Sequence, residues 1–123
     1  MHNEVYKVLT LKEWDRAKVS GLIITKLDQE DGFTHLSTAS QLNVTLFLYF
    51  ANEERVMLLQ LDQSSVCNNL QYECSASPAS RKGLFPHFYG TLKTTDVSQT
   101  WELQRHAFQI PDDVLLQGEA HSV

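Results

Sequence analysis

The alternation of apolar and polar residues divides this chain into short strands and short helices. Runs with a period of two that are rich in β-branched and aromatic residues predict strands, and runs with helical spacing predict amphipathic helices. Strand 56–61 is almost continuously apolar, which indicates that both of its faces are buried. The predicted strands are 5–10, 22–27, 56–61, 70–74 and 83–92, and the predicted helices are 11–18, 38–52 and a single turn within 63–69.

Turn and capping residues separate these elements. Gly21 follows the first helix at a position where a glycine commonly ends a helix. Residues 28–32 are acidic and end in glycine, which predicts a solvated turn. Thr38 and Gln41 have the spacing of a capping box, so they mark the start of the longest helix. Segment 97–103 fits either a strand or a short helix.

The length and the element pattern indicate one domain of the α+β class. A chain of 123 residues can bury a core of its own without disulfides or metals. We expect a single domain over 1–123, with a core over about 5–103 and a tail over 111–123.

The net charge changes the range of expected partners. A formal charge of −5 does not favour nucleic acid binding over a broad surface. No apolar run reaches the ~18 residues of a membrane span, and the polar N-terminus does not resemble a signal peptide. We therefore expect a cytoplasmic protein with no membrane partner, in which Cys67 and Cys74 are reduced thiols.

His35 is the first candidate for chemistry. It follows a short apolar run and precedes the hydroxyl residues Ser37 and Thr38 at the predicted helix start. A histidine there can bind a phosphate or a ribose hydroxyl, or act as a general acid or base. A half-buried histidine that only orders the turn fits the same pattern.

His87 is the second candidate, because it lies among the aromatic residues of 85–89. Strand alternation places His87 and Tyr89 on one face, where Tyr89 can stack on or hydrogen-bond a planar ligand. Glu73, on strand 70–74, is a candidate base or orienting carboxylate, although a surface carboxylate on a sheet is the commoner case. No metal-ligand spacing, phosphate-binding loop or nucleophile elbow occurs, so we expect no metal.

The chain closely resembles a bacterial family, domain of unknown function 952, over roughly residues 5–103. The resemblance rests on ordered matches spread along the chain. They are Tyr6-Lys7-Val8-Leu9, Glu13-Trp14, Gly21, Leu27-Asp28-Gln29-Glu30-Asp31-Gly32-Phe33-Thr34-His35-Leu36-Ser37-Thr38-Ala39, Gln41-Leu42, Tyr49-Phe50, Tyr72-Glu73 and Phe85-Pro86-His87-Phe88-Tyr89-Gly90.

The resemblance implies a fold similar to that of the ADP-ribosyltransferases, a split β-sheet with NAD in a central cleft. The phrase Thr34-His35-Leu36-Ser37 is similar to a strand end in RNA 2′-phosphotransferases, where a histidine serves the dinucleotide. That branch has a further histidine on its first strand, where this chain has Tyr6 and no histidine. The expected cofactor-binding residues are His35, Ser37, Thr38, Tyr89 and Tyr6, and the expected catalytic residues are His35, His87 and Glu73.

Three functions follow as hypotheses. The first is an NAD-binding or nucleotide-binding enzyme of the ADP-ribosyltransferase type, a glycosyl- or phosphotransferase that acts on a small-molecule or nucleotide ligand. The second is a non-catalytic nucleotide-binding module. The third is a phosphodiester hydrolase with two histidines, which requires His35 and His87 to face a common point.

Overall fold

A computed structural model describes residues 4–74, 83–104 and 114 of the chain. These residues form two antiparallel sheets and a few short helices. The strands are β1 (Val5–Thr10), β2 (Thr34–His35), β3 (Ser37–Thr38), β4 (Arg55–Leu61), β5 (Leu70–Cys74), β6 (Leu84–Phe88) and β7 (Val97–Gln104). The helices are α1 (Leu11–Ser20), α2 (Lys26–Asp31), α3 (Leu42–Tyr49) and α4 (Gln63–Val66), with 3₁₀ turns at Ala39–Gln41, Cys67–Asn69 and Thr94–Asp96.

The larger sheet has the strand order β3-β1-β4-β7, and its central strands form the core. Every residue of β4 after Arg55 is buried, which confirms the prediction made from its apolar run. Alternate residues of β4 enter different apolar clusters, since Leu59 packs in one and Leu58 in the other. Val114 belongs to the cluster of Leu58 and is fully buried. The core therefore lies on both sides of this sheet.

The smaller sheet has the order β2-β6-β5, and the chain passes from it to the larger sheet at Leu36. Leu36 is buried between β2 and β3, and its backbone N–H donates to the carbonyl of Pro86 (3.0 Å). Pro86 lies inside the middle strand β6, opposite Tyr72 of β5. It has no N–H for the ladder, but its carbonyl is still paired. The strand expected over 83–92 is thus confirmed over Leu84–Phe88, and Pro86 lies within it.

Residues 22–31 differ from the sequence prediction. The expected strand 22–27 does not form. Within it, only Leu22 makes a β-bridge, which is an isolated one with Lys93. The expected solvated turn is helix α2, because Thr25 Oγ1 accepts a hydrogen bond from the Asp28 N–H (3.1 Å) at its start. Gly32 ends the helix in the left-handed conformation (φ +82°), which glycine adopts without strain. A hydroxyl cap and a C-terminal glycine define this helix despite its short length.

The helix expected over 38–52 is shorter in the structure. The 3₁₀ turn Ala39–Gln41 precedes α3, which ends at Tyr49. The expected capping box of Thr38 and Gln41 is present, and in it Gln41 Oε1 accepts from the Thr38 N–H (3.0 Å). The undecided segment 97–103 is strand β7, which pairs with β4 along its length.

The described residues thus form a small mixed α/β domain, as the α+β prediction required. None of the helices described is long and apolar enough to cross a membrane. The expected loop after β5 and most of the expected tail, 111–123, lie outside the described residues.

Helix α1 provides a test of the local stability of the fold. Thr10 Oγ1 accepts from the Glu13 N–H (3.1 Å), and Glu13 Oε1 accepts from the Thr10 N–H (2.9 Å). Thr10→Ala removes one of these bonds and should lower the free energy of unfolding by about 1 kcal/mol in urea denaturation. Thr10→Ser keeps the hydroxyl and is the matched control. Equal stability of the alanine and serine variants would contradict a contribution from the cap.

Candidate functional site

The pairing of β2 with β6 brings the two histidine phrases together. His35 and His87 are direct partners across these antiparallel strands. Side chains of paired residues project from the same face of a sheet. The ring centroids lie 5.6 Å apart, with the rings in an edge-to-face arrangement. The structure therefore brings together two candidates that are about fifty residues apart in the sequence.

Glu73 joins His87 and Tyr89 in a hydrogen-bonded group. Its Oε1 lies 2.8 Å from Nδ1 of His87 and accepts from the Tyr89 hydroxyl at 2.7 Å. The hydrogen bond from Tyr89, and after it the one from His87, lowers the pKa of Glu73. The bond between Tyr89 and Glu73 also raises the pKa of Tyr89. An ionised carboxylate only accepts, so Nδ1 of His87 carries the proton.

The other ring nitrogen of His87 is left for a ligand. Among the described residues, Nε2 of His87 has no hydrogen-bond partner, although the side chain is buried. With the proton on Nδ1, Nε2 of the neutral imidazole carries a lone pair. An imidazole held at Nδ1 by a carboxylate in this way can accept a proton at Nε2.

Phe33 is the ring that links the two histidines. It stacks on His87 with centroids 4.1 Å apart and an angle of 24° between the rings. Its centroid is also 4.7 Å from that of His35 and 5.4 Å from that of Tyr89. Sequence reasoning included Phe33 only as part of the family resemblance. Its position two residues before His35, on the same side of an extended segment, could have indicated this role.

His35 lies between two carboxylates of α2. Nδ1 is 2.7 Å from Asp28 Oδ1, and Nε2 is 2.9 Å from Asp31 Oδ2. The contact of Nδ1 with Asp28 is a hydrogen bond, and the contact of Nε2 with Asp31 is an ion pair when His35 is protonated. The sequence prediction treated Asp28 and Asp31 as parts of a solvated turn, and that was wrong for Asp28, which is buried. The i, i+4 spacing of Asp31 and His35 was the overlooked signal.

Lys7 is a buried cation behind His35. Its Nζ lies 2.8 Å from Asp28 Oδ2 and donates to the backbone carbonyl of His35 (3.0 Å). Burial alone would raise the pKa of Asp28, but the bond from His35 and the charge and bond of Lys7 lower it to about 2. A polar residue in an alternating strand usually faces solvent, so the sequence pattern did not indicate Lys7.

Three predicted cofactor-binding residues lie in the scaffold. Ser37 is buried, and its hydroxyl is 2.7 Å from the hydroxyl of Thr45 on α3. Thr38 is buried too, at the start of the 3₁₀ turn. Tyr6 is fully buried in the apolar cluster of Leu58, because it and Lys7 point to opposite faces of β1. In this conformation, these side chains position the site and have little or no surface to offer to a ligand.

A pocket of about 240 Å³ adjoins the site beside Phe33. Asp28, Gly32, Phe33, Gly90 and Leu92 are among its lining residues. Ligand pockets are commonly larger than ~300 Å³, so this pocket fits a single ring rather than a whole dinucleotide. No group of three or more metal-ligating side chains occurs in the described part of the chain.

The fold and the paired histidines define a small two-sheet domain with a candidate acid–base site. The chain belongs to the family described as "Protein of unknown function (DUF952)", whose sequence model matches residues 8–100. A search of curated proteins found no match.

Solved structures of a relative share this fold. The chain is similar to protein CC0527 from Caulobacter crescentus, with 29% identity and a TM-score of 0.77 to its crystal structure. That match covers 92% of this chain and 99% of the other. The solution NMR structure of CC0527 matches with 28% identity and a TM-score of 0.69, over 97% of each chain.

The buried ion pair provides a second prediction. Asp28→Asn leaves Lys7 charged and buried, which should lower the free energy of unfolding by about 3–5 kcal/mol in urea denaturation. The double variant Lys7→Met/Asp28→Asn removes both charges and should recover a large part of that loss. Asp15→Asn is the control, since Asp15 pairs with Lys18 at 3.5 Å on the exposed face of α1. A double variant no more stable than Asp28→Asn would contradict the pairing.

The low pKa of Asp28 provides a third prediction, on acid stability. The pKa falls from its ordinary 3.8 to about 2 in the folded protein, so its contribution is present above pH 4 and is lost between pH 4 and 2. The stability difference between wild type and Asp28→Asn should therefore shrink by about 2 kcal/mol from pH 5 to pH 2. Urea denaturation at a series of pH values measures it. A difference independent of pH would show that Asp28 has an ordinary pKa in the folded state.

Proposed function

We propose that this protein is a nucleotide-binding enzyme of the ADP-ribosyltransferase type, with NAD as its donor substrate. The observation that carries the proposal is the group formed by Glu73, His87 and Tyr89. A carboxylate that fixes one nitrogen of an imidazole, and leaves the other available, is a recurring arrangement of acid–base catalysis.

The rings beside Glu73 suit the nicotinamide group of NAD. The nicotinamide ring of NAD is planar and positively charged, and cations are attracted to aromatic faces and to carboxylates. Tyr89 is partly exposed, and Phe33 packs close to it and to His87. Glu73 supplies a negative charge at the same place.

In the proposed reaction, the bond between the ribose C1′ and the nicotinamide nitrogen breaks. The bonding electron pair goes to the nitrogen, so nicotinamide leaves as a neutral molecule and the ribose becomes oxocarbenium-like. A hydroxyl of the acceptor forms the new bond to C1′, and its proton goes to Nε2 of His87. The negative charge of Glu73 stabilises the positive charge on the ribose and then on His87.

His35 takes the binding role in this proposal. Its imidazolium can donate a hydrogen bond to a phosphate or a ribose hydroxyl. The buried contacts with Asp28 and Lys7 hold it in place. Ser37 and Thr38 support the turn after His35 and are not proposed as side-chain ligands.

A second candidate function is favoured by the distance between the histidines. Ring centroids 5.6 Å apart are compatible with two imidazoles that act on one phosphodiester. Hydrolysis of a simple phosphodiester without NAD would support this alternative.

The proposal predicts both binding and turnover. Addition of NAD should shift the backbone amide signals of His35, His87 and Tyr89 in NMR spectra, at millimolar ligand or below. Glu73→Gln keeps the shape and removes the charge, so it should slow nicotinamide release from NAD by about 10²–10³-fold, a loss typical of an electrostatic catalytic group. The control is Glu102→Gln on β7, because Glu102 forms an exposed ion pair with Arg55 away from the site.

The outcomes separate the candidate functions. Amide shifts without nicotinamide release, with or without an added acceptor, would support a non-catalytic binding module, in which His87→Ala weakens affinity. No amide shifts at millimolar NAD would contradict the proposal.

A further inference from the structure

The two carboxylates on His35 differ in how firmly they are held. The Asp28 side chain is 7% exposed and is bonded by Lys7, by the His35 ring and by the His35 backbone N–H (3.0 Å). The Asp31 side chain is 43% exposed, and within the described residues its carboxylate has His35 as its one polar partner. Exposed ion pairs are weak, because water solvates both charges. Asp31 can therefore leave His35, whereas Asp28 is fixed.

The charges around His35 suit an anion once Asp31 has moved. When His35 is protonated, it and Lys7 carry two positive charges in direct contact with the one negative charge of Asp28. The carboxylate of Asp31 then balances the remaining positive charge of this contact group. An oxyanion of a ligand can take the same place, since it pairs with the protonated ring as a carboxylate does and can accept a hydrogen bond from Nε2.

We infer that the Asp31 carboxylate occupies the position of a ligand oxyanion and is displaced when the ligand binds. This inference rests on the proposed function and narrows its ligand to one with a phosphate, or a similar oxyanion, close to its planar group. Asp31 is then a specificity-determining residue, because a ligand without an oxyanion cannot replace the contact that it breaks. At Nε2 of His35, an oxygen of the ligand replaces the carboxylate oxygen of Asp31.

Inorganic phosphate tests the inference without a nucleotide. Asp31→Asn removes the competing charge, so phosphate should bind two- to fivefold more tightly than to wild type, which is roughly the weight of an exposed ion pair. Titration by NMR, with the His35 ring signals as the readout, measures both affinity and place. Asp15→Asn, which removes an equal charge on α1, is the matched control and should leave the affinity unchanged.

A further variant fixes the location. His35→Gln in the Asp31→Asn background should reduce phosphate affinity at least tenfold, and the loss should be specific to the His35 site. Equal phosphate affinity of wild type and Asp31→Asn would overturn the inference. Tight binding that survives His35→Gln would overturn it too.

Failure of this inference differs from failure of the proposed function. If phosphate binds more tightly to Asp31→Asn but NAD does not bind, the oxyanion position stands and the nucleotide assignment fails. If wild type binds NAD and releases nicotinamide from it, but Asp31→Asn binds neither phosphate nor NAD more tightly, the proposed function stands and the role of Asp31 fails.

Discussion

The buried carboxylate of Asp28 is the constraint on which the site depends. It joins Lys7 of β1 to the ring and the backbone of His35, and it is itself part of the short helix α2. Taking these charges out of water costs free energy, and the electrostatic attraction between the closely paired groups offsets that cost. Because three elements meet at one carboxylate, the position of His35 is tied to the larger sheet as well as to the strand that carries it. The pairing of β2 with β6 then sets His87 beside it.

The two neighbouring imidazoles contact different carboxylates, Asp28 and Asp31 for His35 and Glu73 for His87. His35 is hydrogen-bonded through Nδ1 to Asp28, and its Nε2 lies 2.9 Å from Asp31. His87 is bonded through Nδ1 to Glu73, and its Nε2 has no hydrogen-bond partner within the described residues. Phe33 stacks on His87 and also lines the pocket beside the site.

Sequence reasoning found the elements with strong periodicity and the histidines. The buried strand β4 and the shared face of His87 and Tyr89 follow from simple alternation. Sequence reasoning missed α2, because an acidic run between apolar residues looks like a turn unless Thr25 and Gly32 are recognised as its ends. It missed Lys7 and Asp28 as partners because their contact depends on how α2 packs against β1, which no local pattern contains. The burial of Tyr6 was not predictable for the same reason, since the side of β1 that meets the core is decided by the whole sheet.

The central claim is that His35 and His87 form one ligand site with different roles. The side-chain nitrogen signals of the histidines, recorded by long-range ¹H–¹⁵N NMR without and with NAD, test it most directly. We expect the Nδ1–H tautomer for His87 in the free protein, and we expect both rings to respond to NAD with a single affinity. An Nε2–H tautomer for His87, or a response from one ring alone, would contradict it.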